Sequence, residues 1–142
     1  MEVTEREIVR VLKTFFNFVD LDAKPFIPAG CLVKEHRPGG LKEIEEVILY
    51  LSEEIKSVKE VLEENKKEFL ANANFLDHLV ANKSTIYQEW KGYKLIFGAT
   101  VYQNIKGELF VRYLFWDGMS WEWSFMALTS TFDKSCALVI LT

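Results

Sequence analysis

After Lys83 the spacing of apolar residues changes from every third and fourth position to every second, and β-branched and aromatic types take over. That switch constrains the chain more than any other feature. Helices first, then strands joined by tight connections, is the order of an α+β fold. Four strands are predicted, at 87–103 (with an interruption near "KGY"), 108–116, 120–131 and 135–141, forming an antiparallel meander.

Before the switch, helical spacing dominates. Thr4 and Glu7 form a capping-box pattern, and Ile8, Val11, Leu12, Phe15, Phe18 and Val19 follow on one face. Leu41, Ile44, Ile48, Leu51, Ile55, Val58, Leu62, Asn65 and Phe69 then step by three and four, which predicts a long amphipathic helix of about 43 Å. Val47 and Val61 widen its stripe, favouring packing on a sheet over a two-helix seam. Asn65 at a seam position is the feature that would fix the register of a homo-oligomer. Asn72 and Asn74 supply caps, and a third helix is predicted over 74–82. At 142 residues the expectation is one domain over 1–142, with 1–82 mainly helical and 83–142 an antiparallel sheet. This order resembles the helix-gripping curved sheets of cystatin-like or NTF2-like folds, a resemblance of topology alone that implies nothing about activity.

Between Asp20 and Gly40, Pro25, Pro28, Pro38 and the Gly39-Gly40 pair interrupt regular bonding, with "GCLVKEH" a candidate short strand. Long irregular connections are often functional, so this segment is either a site rim or a structural wrap.

Charge and motifs exclude several classes. Lys and Arg number 17 against 21 Asp and Glu, and the acidity lies in residues 41–90, with six basic side chains against eleven acidic. No Lys/Arg stripe is present to neutralise phosphates, which argues against nucleic acid. No secretory leader pattern and no bilayer-length apolar run are present, and two distant cysteines, Cys31 and Cys136, suit a reducing cytoplasm. "RPGG" lacks the lysine and spacing of a phosphate loop, and no Cys or His pair stands at ligand spacing, so neither cofactor nor metal is expected. Cys31 with His36, Asp77 with His78, and the carboxylates Glu108, Asp117 and Glu122 are the remaining candidates for chemistry; none forms a required set, and catalytic residues stay unassigned.

"WDGMSWEW" at 116–123 gathers three of the four Trp around an Asp-Gly pair. Upstream, "NIKG" at 104–107 predicts a three-residue hairpin loop ending in a left-handed glycine. That register sets Phe97 beside Phe115, Ala99 beside Tyr113 and Val101 beside Val111 on one face, with Thr100 beside Arg112 and Tyr102 beside Phe110 on the other. A two-residue turn at Asp117-Gly118 pairs Trp116 with Met119, Leu114 with Trp121 and Arg112 with Trp123. Phe110, Arg112, Leu114, Trp116, Trp121, Trp123 and Phe125 then share one face, a permanent cation among rings. An odd loop of three or five residues would move the last three rings to the other side. Local turn chemistry favours the even loop.

The expected binding residues are therefore Tyr102, Phe110, Arg112, Trp116, Trp121 and Trp123. A chain without a catalytic set but rich in rings and acidic charge reads as a non-enzymatic binding protein of inhibitor, immunity or adaptor type. It would engage a protein partner, or a second copy of itself, through the aromatic sheet face or the acidic helix. The alternative is a small-molecule binder or enzyme whose pocket lies in the curved sheet around Arg112.

Overall fold

A computed structural model describes residues 6–10, 18–44 and 46–142. In chain order its elements are β1 (Arg6–Arg10), β2 (Phe18–Asp20), β3 (Cys31–His36), β4 (Leu41–Glu43), β5 (Glu46–Tyr50), β6 (Lys56–Ser57), α1 (Val58–Glu64), α2 (Ala73–Ala81), β7 (Lys94–Asn104), β8 (Leu109–Trp116), β9 (Trp121–Ala127), β10 (Thr131–Phe132) and β11 (Cys136–Leu141). Two 3-10 turns, Lys83–Thr85 and Gln88–Gly92, lie between α2 and β7. The fold is mixed α and β but mostly sheet. The main sheet runs β1-β5-β11-β7-β8-β9, and β3 joins β7 beyond the end of β11.

The long helix expected over 41–69 is not formed. Val47 to Leu51 is an unbroken apolar run, and as β5 it lies between β1 and β11 with Val47 and Leu49 buried. A strand covered on both faces needs apolar residues at every position, and steps of three and four can be picked out of such a run. The helix proper begins only at Ser57, whose side chain accepts from the Glu60 amide at 3.1 Å while Glu60 accepts from the Ser57 amide at 2.9 Å. Asn65 is a cap rather than a seam residue: it closes α1 and its Nδ2 donates to the Val61 carbonyl at 2.8 Å. The expected first helix is also replaced where it is described, since Ile8 lies in β1 and Phe18 and Val19 in β2; Thr4, Val11, Leu12 and Phe15 lie outside the described residues. The third helix and the strand at 31–36 form as expected.

The four-stranded meander is likewise corrected. β7, β8 and β9 do form an antiparallel run, but β11 pairs parallel to β7 on its far side and antiparallel to β5. The chain gets there by crossing one face of the sheet, where β10 pairs with β6 and buries Phe132.

Two covers make the sheet apolar on both sides. On one face Leu49, Leu95, Phe97, Leu114 and Val139 pack with Phe75, Leu76 and Leu79 of α2. On the other, Ile96, Val111, Leu138 and Ile140 pack with Val58 and Val61 of α1 and with Phe132. A break in register lets β7 serve both. Tyr102 faces Phe110 as expected, but three residues slip before Phe97, which faces Arg112 rather than Phe115. Gly98 sits within this bulge, where an added Cβ would run into the Leu62 side chain of the α1 layer; glycine is what lets that layer approach.

Candidate functional site

The β8–β9 connection decides where the rings lie. Asp117 accepts from the amides of Met119 at 2.7 Å and Ser120 at 2.8 Å, and its own amide donates to the Ser120 carbonyl at 3.0 Å. These amides hold its carboxyl below the usual carboxylate range. The loop closes around that side chain and spans residues 117–120, with Gly118 at φ 102°. It is therefore two residues longer than the expected turn, and Trp116 pairs with Trp121, Leu114 with Trp123 and Arg112 with Phe125. Both loops are even, so the face is unchanged: Trp121, Trp123 and Phe125 share a side with Arg112.

Arg112 is 1% exposed. Its Nη1 and Nη2 donate to the two carboxylate oxygens of Asp77 on α2, at 3.2 and 2.9 Å, a bidentate pair whose carboxylate partner is 39% exposed. The guanidinium carbon lies 4.0 Å from the Trp123 ring centroid and 5.4 Å from that of Phe26. Nε is sealed from solvent and has no hydrogen-bond partner among the described residues. The two Nη donors, which an anionic ligand would use, are already taken by Asp77.

Above this ion pair the rings form a chain of edge contacts. Phe125 meets Trp123 at 5.5 Å, Tyr102 at 5.7 Å and Phe110 at 6.0 Å, and Trp123 meets Phe26 at 6.1 Å. The Tyr102 hydroxyl donates to the Phe26 carbonyl at 2.9 Å, tying the Pro-rich segment over the sheet as a wrap. Burial pushes the Tyr102 phenol up against the opposing pull of the Arg112 charge. Trp116 and Trp121 stand apart as their own pair at 5.7 Å, with Lys91 Nζ 3.7 Å from the Trp116 centroid. That pair borders a shallow cleft of about 280 Å³, shared with Lys83, Ser84 and Ser120.

Of the six expected residues, Tyr102, Phe110, Arg112 and Trp123 therefore come together, while Trp116 and Trp121 form a second group at the turn end of the hairpin. Sequence reasoning missed the pairing of Asp77 with Arg112, and Phe26, Phe125's central position and Lys91. Asp77, weighed only beside His78, carried no signal of that pairing, because an acidic residue beside an apolar helix stripe looks like any solvated position.

The cluster ends at an open edge. β9 pairs only with β8 among the described residues. Beside it, Trp123 and Phe125 are half-buried, and Phe26 is 52% and Ile27 40% exposed. Within Trp121–Ala127 the single charge is Glu122, and neither Pro, Lys nor Gly interrupts the strand. Natural edges usually carry such blocks.

The other candidates for chemistry are occupied by structure. His36 contacts Thr100 Oγ1 at 2.8 Å and the Leu21 carbonyl at 3.2 Å, at the opposite end of β3 from Cys31. Glu108 accepts from Asn104 Nδ2 at 2.8 Å, and Glu122 from the Ser120 hydroxyl at 2.6 Å. Among the described residues no cluster of His, Cys, Asp and Glu has the convergence a metal needs, and no helix is long and apolar enough to cross a membrane. A scan against protein-family models and searches of curated proteins and of solved structures found no match to this chain.

Proposed function

We propose that the chain is a non-enzymatic binding protein that engages a protein partner by its open β9 edge and the aromatic residues beside it. The supporting observation is the combination at one place of an unblocked edge strand, half-exposed Trp123 and Phe125, and exposed Phe26 and Ile27. An incoming strand would gain main-chain bonds from the edge and side-chain grip from the rings, the mode of recognition in which a peptide extends a sheet. A ligand pocket at Arg112 would require the guanidinium to give up Asp77, so the partner reading is preferred. The acidic-helix version has less to stand on, since α1 is a seven-residue helix. Two unpaired cysteines, Cys31 and Cys136, suit the cytoplasm.

The test uses two variants that leave the Arg112 cluster in place. Ile27→Asp puts a charge on the exposed rim beside Phe26, and Ala127→Pro blocks the end of the edge, where the amide faces away from β8. Tagged chain added to an extract of the native cell is expected to retain a discrete partner that both variants lose at least tenfold. Equal retention by all three, with unchanged circular dichroism, overturns the proposal.

A further inference from the structure

The partner of this edge can be narrowed from the alternation of its hydrogen bonds; the argument rests on the reading of β9 as a docking edge. Asp117 N donates to Ser120 O, and Leu128 N to Leu109 O at 3.0 Å, which fixes the phase of the β8–β9 ladder. Glu122, Ser124 and Met126 therefore turn their amides toward β8, and Trp121, Trp123 and Phe125 turn theirs outward. An added antiparallel strand must bond to those three residues, and its own outward-facing residues must stand opposite them.

We propose that the added strand is β9 of a second copy, paired about a twofold axis at Trp123. The segment Trp121-Glu122-Trp123-Ser124-Phe125 reads aromatic, polar, aromatic, polar, aromatic from either end. With the axis at Trp123, Trp121 faces Phe125 of the second copy, Trp123 faces its own mate, and each Glu122 faces Ser124. All three rings are then matched on one side of the joined sheet, and a carboxylate meets a hydroxyl on the other. Moving the axis to Glu122 sets two carboxylates against each other, which is repulsive. Moving it to Ser124 sets Trp121 against Ala127 and Glu122 against Met126, which wastes both. Charge and shape thus select one register out of the neighbouring three.

Head-to-tail pairing with the other end of the sheet is disfavoured by the same criteria. β1 contains Arg6, Glu7 and Arg10 within five residues, and β3, which joins beyond β11, carries Lys34 and a register break. A β9-to-β9 contact also closes on itself, whereas β9-to-β1 would run on as a fibre.

The experiment exploits the Glu122–Ser124 match. Ser124→Lys places an ammonium opposite Glu122 of the second copy, twice per dimer, and Ser124→Glu places a carboxylate there. In sedimentation equilibrium at low salt the unaltered chain is expected to dimerise. The first variant should tighten the dimer and the second weaken it, each on the order of two- to thirty-fold in Kd, with both effects shrinking in about 1 M salt. Effects of the same sign from both variants overturn the register. A chain that stays monomeric at its highest soluble concentration overturns self-pairing.

Oxidative cross-linking gives an independent reading. In a Cys31→Ser background, Glu122→Cys protein mixed with Ser124→Cys protein is expected to form a mixed disulfide, because those positions face each other at about 4.5 Å between Cα atoms. A disulfide within either protein alone moves the axis to residue 122 or 124 and refutes the register; none in any mixture refutes the pairing. A monomer that still loses its cellular partner on Ile27→Asp or Ala127→Pro would sink this inference while leaving the proposed function standing.

Discussion

Two cations rest on indole rings of the same β8–β9 hairpin, and they differ in almost everything except distance. Lys91 lies 3.7 Å from the Trp116 centroid and Arg112 lies 4.0 Å from that of Trp123. Lys91 is half-buried, with its charge at the rim of an open cleft. Arg112 is buried, held by Asp77 through two bonds and roofed by Phe26. A cation left in water forgoes little when its ring is removed, whereas one taken out of water depends on every group that replaces its hydration. The shorter contact is therefore the weaker commitment.

The largest break in that comparison is Asp77→Ala. It leaves a buried guanidinium with no counter-charge, and the expected cost is about 3 kcal/mol, the low end for breaking a buried pair because water reaches the carboxylate side. Urea unfolding of Asp77→Ala measures it, and the singles Asp77→Leu and Arg112→Met with their double variant close the cycle. The double variant should recover most of the loss, since an apolar pair carries no desolvation debt. Additive losses in that cycle would show that the two side chains do not act as a unit.

Next in size is the roof. Tyr102→Phe removes the bond to the Phe26 carbonyl and is expected to cost about 1 kcal/mol at neutral pH. The pH dependence follows from the raised Tyr102 pKa. Its neutral form is favoured in the folded state, so its contribution is complete below the unfolded value of 10.0 and is lost as pH climbs from there through the raised folded value. Stability of the unaltered chain should therefore fall more steeply above about pH 10 than that of Tyr102→Phe. Parallel curves would mean that the phenol is not coupled to the roof.

These features were unequally legible in the sequence. The parity of the ring face was readable, because an Asp-Gly pair between alternating rings favours a tight even loop; the loop's length was not, since it depends on Asp117 capping two amides instead of one. The β7 slip was hidden because Gly98 alone marks it, and only the approach of Leu62 explains it. Residues 46–50 were misread because a doubly buried strand has no period of its own, although Ser57 and Glu60 already marked where the helix starts. Asp77's pairing with Arg112 was hidden for a different reason: the two lie thirty-five residues apart in sequence.

The smallest effect belongs to Lys91→Met, which keeps the apolar stem and removes only the charge over Trp116. The expected loss is about 0.5 kcal/mol, within the range of exposed cation–ring contacts, with a shift in Trp emission as the ring loses its cation. If it instead matched the cost of Asp77→Ala, closeness to the ring would be what stabilises both cations, and burial would have no special part. The distances favour Lys91; the solvation argument favours Arg112. Measuring both in the same buffer, with and without about 1 M salt, separates them, since screening reaches the open cleft at Lys91 and not the sealed guanidinium.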